Sequence, residues 1–416
     1  MINKTFIYFV LYALTVGFST TSSVFPGCYL DVLTNPALTP LIVGSDVFPE
    51  PSPNGSLHFV YREPIYIACP GGEFTPTAID VNGHSVYCRE GTIVDIKTGV
   101  AGDFNKIICT LNDTARPYLT DKPNSDISCE GGTAVEIGYT LNKSFYRALL
   151  VCFQLELGIP LYTKYRISKW ARSGQNYAEP PRYVFDLGLF SDDPVAAYEN
   201  YGTTFEDLGL QRYVDGVHYL TKGQLAAYDE FLYSFQRDAT YDLANVAPRW
   251  NTFDQGNWRV LENAIVNLLE SGDIGDATVL TGTLKVATLV NVNGTEEELR
   301  LKESGTTFPV PRWFWKLVYI PGDNFGAVFF GYNNPYVSKD NVDFEFLGEI
   351  CYSDVFEILK DTWLLNGVDN SDAFLGYIYA CQLDTNQIID TLLAEIVRNV
   401  LLEGNLTSIN FSTKQK

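Results

Sequence analysis

Three oxygen-bearing side chains pose the chemical question in this chain. They lie in the segment NVAPRWNTFDQGNWRVLE and are Asn245, Asp254 and Glu262. Asp254 and Glu262 are eight residues apart, just over two turns, so a single helix would put both carboxylates on the same side. Asn245 precedes Asp254 by nine residues, ahead of a turn-like NVAP. An amide and a carboxylate gathered beside a helix are oxygen ligands for one hard divalent cation such as Mg²⁺. Upstream, YLTKGQLAAYDEF (Tyr219–Phe231) contributes an amine at Lys222 and a carboxamide at Gln224.

Either piece alone reads as a helix-capping loop with a core tryptophan. Together and in this order they resemble the signature of the DNA/RNA non-specific endonucleases of the ββα-metal fold. That signature runs Asp-Arg-Gly-His, then Asn-(Val/Ile)-(Ala/Thr)-Pro-Gln, then Asn-x-Gly-x-Trp-x-x-(Leu)-Glu. Gly223, Asn245, Pro248, Gly256, Trp258 and Glu262 match it in type and spacing. The resemblance implies one divalent ion, Mg²⁺ or Mn²⁺, at Asn245 and Asp254, with Glu262 holding its water shell. It places the catalytic positions at Gln224, Lys222 and Glu262. Contacts to nucleic-acid phosphates would come from Arg182 (in EPPRYVFD), Lys222, Arg249 and Arg259. Four departures stand out: Thr221 for the family's Asp, Lys222 for its Arg, Gln224 for its general-base His, and Asp254 for its metal-ligand Asn. Arg249 stands where the family more often has Gln.

Hydrolysing a phosphodiester requires a water that loses a proton, neutralised phosphoryl oxygens and a stabilised leaving oxygen. A carboxamide has no usable pKa near neutrality, so Gln224 cannot act as the base, a route that contributes about 10²–10⁴-fold. His218 lies six residues before Gln224, about 20 Å away along an unbroken strand. It does not reach. Lys222 keeps the positive charge but not the bidentate fork of arginine. Asp254 favours a cation while lowering that cation's net field at phosphate. The expected function is a secreted nuclease-like protein that binds double-stranded DNA or RNA with weak or lost cleavage. Two alternatives stay open: an active Mg²⁺-dependent endonuclease, its water activated by bulk solvent or Glu262, and a pseudoenzyme that binds a protein or small ligand.

A formal charge of −21 opposes nucleic-acid binding, since phosphate binding draws on Lys and Arg. From Lys222 to Glu262 there are four basic and six acidic residues. The objection weakens if the acid lies elsewhere, because charges are screened over about 8 Å at physiological salt. Met1 to about Ser23 reads as a secretory signal, with Lys4 before the apolar run Phe6–Phe18. That run is too short to cross a bilayer, so no membrane association is expected. In an exported protein, eight cysteines read as disulfides. Cys351–Cys381 is the expected late pair, with the six early cysteines pairing among themselves. Sequons at Asn54, Asn112, Asn142, Asn293, Asn405 and Asn410 fit a glycoprotein. Signal, sequons and altered site together resemble the salivary Tsal group of blood-feeding flies and related insect secreted nucleases.

Residues 24–145 alternate short apolar runs with Pro, Gly and Asn, and read as a disulfide-rich β module. Residues 146–403 read as an α+β, ββα-metal endonuclease-like domain, and 404–416 as a polar tail. Within the domain, ALLVCFQLELGIPLYTKYRI suggests two strands, and VLTGTLKVATLV, WFWKLVYI and GAVFFGYNNPYV three more. Asn257–Ser271 is spaced as an amphipathic helix through Val260, Leu261, Ala264, Ile265 and Leu268. Residues 350–403 read as helices. Trp313 and Trp315 are expected in the core rather than as base-stacking platforms.

Overall fold

The runs WFWKLVYI and GAVFFGY do not alternate polar with apolar because the sheet they build is covered on both faces. Pro311–Ile320 and Phe325–Tyr332 pair near one end of an eight-stranded sheet. The strand order is Leu119–Pro123, Thr133–Leu141, Ser144–Gln154, Ile159–Ile167, Ala277–Val286, Pro311–Ile320, Phe325–Tyr332, Tyr377–Gln382. Every neighbouring pair is antiparallel. The structure, a computed structural model, describes residues 27–382 except 35, 45–47, 76–82, 97–98, 100, 112–118, 125–126, 128, 142, 175–181, 186–187, 272–274, 304–305, 321–324 and 343–364. The expected signal, the tail 404–416, Cys351 and the sequons at Asn112, Asn142, Asn405 and Asn410 lie outside the described residues. So do residues 350–364 and 383–403 of the expected helical stretch. Its described part corrects that expectation: Tyr377–Gln382 is the edge strand of the sheet, as its aromatic and β-branched YIYACQ favours.

Side chains alternate across the sheet. Phe314, Lys316 and Val318 point to one face; Trp313, Trp315, Leu317 and Tyr319 point to the other. The helix Asn257–Ser271 packs on the first face through Trp258, Leu261 and Ile265, with Trp258 5.9 Å from Phe314 between ring centroids. Trp313 and Trp315 are sealed in the core, beside Tyr332 and Tyr162.

The N-terminal residues form a five-stranded sheet and two ribbons, one pairing Cys28–Asp31 with Ser56–Phe59 and the other Gly72–Thr75 with Ile108–Leu111. Disulfides Cys28–Cys88 and Cys69–Cys109 stitch these strands, and Cys129–Cys152 ties the entry to the main sheet. Cys381 is also disulfide-bonded. The main sheet begins at Leu119, before the expected boundary at residue 145, and Thr133–Leu141 pairs antiparallel with Ser144–Gln154. The N-terminal strands meet the rest of the chain through Tyr66 stacked on Tyr146 and through Tyr233, whose hydroxyl donates to Pro49 O at 2.6 Å.

Candidate active site

Two short strands and a helix carry the motif. Leu220–Gln224 pairs antiparallel with Val246–Trp250, placing Thr221 opposite Arg249 and Lys222 opposite Pro248. The chain then makes a short helix, Asn251–Asp254, before the long helix Asn257–Ser271. Gly256 marks the break: a Cβ there would lie 2.4 Å from Thr252 O and 2.8 Å from Leu375 O. Asp254 and Glu262 therefore sit on two helices, not on the single helix expected from their spacing. Asn257 anchors the second helix, donating to Asp369 O at 2.8 Å and accepting from Asp369 N at 2.8 Å.

Under the motif runs a polar row set by strand register. Thr163 lies opposite Thr281, and Thr281 opposite Lys316. Thr163 Oγ1 donates to Asn245 Oδ1 at 2.9 Å. Lys316 Nζ donates to Tyr165 Oη at 2.9 Å and to Glu230 Oε1 at 2.8 Å, and lies 3.6 Å from Glu262 Oε1. Tyr165 in turn donates to Glu230 Oε2 at 2.6 Å. Lys316, Glu230 and Glu262 are 0%, 1% and 6% exposed. Burial pushes the Glu262 carboxyl up to about 7, against the pull of Lys316 and with Glu230 adding to it. The signature names none of Lys316, Tyr165 and Glu230. One sign was present in the sequence: Lys316 is the only charge in WFWKLVYI.

Gln224 ends its strand with its side chain engaged at both atoms. Nε2 donates to Thr240 O at 3.2 Å and Thr240 Oγ1 at 3.0 Å, while Oε1 accepts from Tyr228 N at 3.1 Å. Lys222 is half-buried, its Nζ 5.4 Å from the Tyr183 ring and 5.2 Å from the Tyr198 ring. Burial lowers its pKa, with Glu199 opposing. Arg249 is 1% exposed. Its Nη1 donates to Asp254 Oδ1 at 2.8 Å and its Nη2 to Gln224 O at 2.9 Å.

The strand–strand–helix unit on an antiparallel sheet is the arrangement that the motif resemblance implies. The family model "DNA/RNA non-specific endonuclease" matches residues 130–386, more than half of the chain. The chain belongs to this family. A salivary endonuclease of Lutzomyia longipalpis is 24% identical over 340 residues, 78% of this chain and 79% of the relative. Salivary protein Tsal1 of Glossina morsitans morsitans is 34% identical over 127 residues, 30% of this chain and 31% of that protein. The crystal structure of an EndoG/EndoGI complex overlays with a TM-score of 0.32 at 16% identity, covering 45% of this chain and 71% of that one.

Two of the residues expected at the site, Asn245 and Arg249, are buried and engaged by protein groups. Asn245 is fully buried. Its Oδ1 accepts from Thr163 and from Ala226 N (3.0 Å), and its Nδ2 donates to Ala226 O and Thr240 O, both at 3.0 Å. That is the full hydrogen-bonding capacity of a carboxamide, so in this structure Asn245 braces the loop through all four of its bonds. Arg249 is sealed beneath the surface, its guanidinium held by Asp254 and the Gln224 carbonyl. Arg182 is exposed, and Arg259 is partly exposed and paired with Asp229.

The divalent ion implied by the family fits this donor set poorly. Asp254 has one oxygen on the Arg249 guanidinium and the other on Gln255 Nε2 at 2.7 Å. Glu262 faces the Lys316 ammonium. Among the described residues, no three His, Cys, Asp or Glu side chains gather as a metal-holding group.

Proposed function

We propose that this chain is a secreted member of the endonuclease family that binds DNA or RNA and cleaves it weakly or not at all. The observation that carries this reading is Gln224. It occupies the position of the family's proton acceptor, and Thr240 and Tyr228 N hold both ends of its carboxamide. An amide so held neither takes a proton nor turns toward a substrate water. Glu262 is no substitute, because it is buried against Lys316.

Lys222, Arg182 and Arg259 are the cations that would meet phosphate. Lys222 is held between two tyrosine rings and so pays little further ordering entropy on binding. The relatives' names, both salivary, and the paired cysteines support an extracellular setting.

The test is fluorescence anisotropy with labelled duplex DNA and RNA across a salt series, run beside a gel assay for cleavage. Binding is expected to weaken steeply with salt, and Lys222→Ala to flatten the slope by about one unit. Absence of binding at low salt, or robust turnover by the native chain, would overturn the reading.

A further inference from the structure

The Arg249 guanidinium occupies a built position. One face lies 4.3 Å from the centroid of Phe314, and Trp258 is 5.4 Å away. Its two terminal nitrogens bridge Asp254 Oδ1 and the Gln224 carbonyl. Gly223 makes room for it, since a Cβ there would stand 2.7 Å from Arg249 Nε. Trp258 also neighbours the buried ammonium of Lys316, 5.9 Å from its ring. Glu262, one turn beyond Trp258 on the same helix, faces that ammonium at 3.6 Å. Two cations are thus interleaved with the carboxylates Asp254, Glu262 and Glu230.

We propose that Arg249, backed by Lys316, is a resident cation that replaces the divalent ion of the endonuclease site, so that this chain folds and binds its ligand without metal. A guanidinium needs no coordination sphere of six oxygens and cannot dissociate. It also neutralises the extra negative charge that Asp254 brings in place of the family's neutral Asn. A divalent ion approaching Asp254 would meet this positive charge at contact distance, in surroundings that screen it poorly. It would also lack Asn245, which is spent on the loop.

Metal exclusion and nucleic-acid binding are read by separate measurements. Titration calorimetry of the full chain with Mn²⁺ is expected to show no saturable site, and EDTA to leave both the melting temperature and duplex binding unchanged. Arg249→Gln removes the charge while keeping a polar side chain. It is expected to gain one Mn²⁺ site at least about tenfold tighter than any in the native chain, and adding Asp254→Ala should abolish it. A native chain that binds one Mn²⁺ and releases it on Asp254→Ala would overturn the proposal. So would a folded Arg249→Gln variant, judged by circular dichroism, that gains no site. Should that variant not fold, the melting curve of the native chain decides. Stabilisation by Mn²⁺ that Asp254→Ala removes refutes the resident cation, and indifference to Mn²⁺ and EDTA supports it.

Discussion

Lys316 Nζ stands 2.8 Å from Glu230 Oε1, with both side chains sealed from solvent. The pair joins the central sheet to the loop that follows Gln224, and so holds the motif at a fixed height above the sheet. Removing one partner of such a pair leaves a charge buried alone, which costs about 3–5 kcal/mol, whereas replacing both is often close to neutral. Lys316→Met should therefore lose about that much stability in urea unfolding, and Lys316→Met with Glu230→Gln should recover most of it. Equal losses in the single and double variants would mean that the pair does not hold the motif.

Asn245→Ala tests whether this amide is brace or ligand. It strips partners from Thr163, Ala226 and Thr240 inside the core, and each buried group left unsatisfied costs about 1–3 kcal/mol. A large drop in stability with no change in Mn²⁺ affinity is expected. The reverse pattern would restore Asn245 as a metal ligand.

Gln224→His returns an imidazole to the base position, where it can lean on Thr240. With Arg249 still in place on Asp254, no divalent ion can join the restored base, and cleavage of duplex DNA in Mg²⁺ should stay within about tenfold of the native rate. Joined to Arg249→Gln, it should exceed the native rate by about 10²-fold or more, the low end of a positioned base's contribution. A gain of that size from Gln224→His alone would show that the missing base is the whole defect.

Glu50 gives a pH dependence away from the site. Burial, with Asp276 adding to it, raises its carboxyl from 4.5 to about 7, against the Ser168 hydrogen bond, Arg166 and Lys169. Its folded pKa is the higher one, so the folded state holds the proton longer. Stability is full below the unfolded value of 4.5, falls as pH rises toward 7, and stays lower above that. Glu50→Gln keeps the acceptor for Ser168 and removes the titration. It should stabilise the protein near pH 8 by up to about 3 kcal/mol and leave it unchanged near pH 4. Melting curves that shift equally at both pH values would remove Glu50 as the cause.

The sequence alone determined the elements and the family. Gly223, Pro248, Gly256, Trp258 and Glu262 kept the motif legible, because a tight strand pair and a helix start accept few residue types. Apolar runs announced the sheet strands, although YIYACQ was absorbed into an expected helical stretch. The spacing of Asp254 and Glu262 said nothing of the break at Gly256, which depends on the approach of Leu375 from more than a hundred residues away. Which polar groups are free was decided only in three dimensions. Asn245 matches the signature in type, yet Thr163, Ala226 and Thr240 exhaust its amide. Arg249 is as basic as Arg182 in composition, yet one is sealed on Phe314 and the other faces water. Lys316 carries no motif in its strand, and its role appears only where Glu230 and Glu262, both brought from the motif, close over it. Local propensity and spacing specify what an element is. Whether a charge binds a ligand or a neighbour depends on partners distant in sequence, and only the fold brings those together.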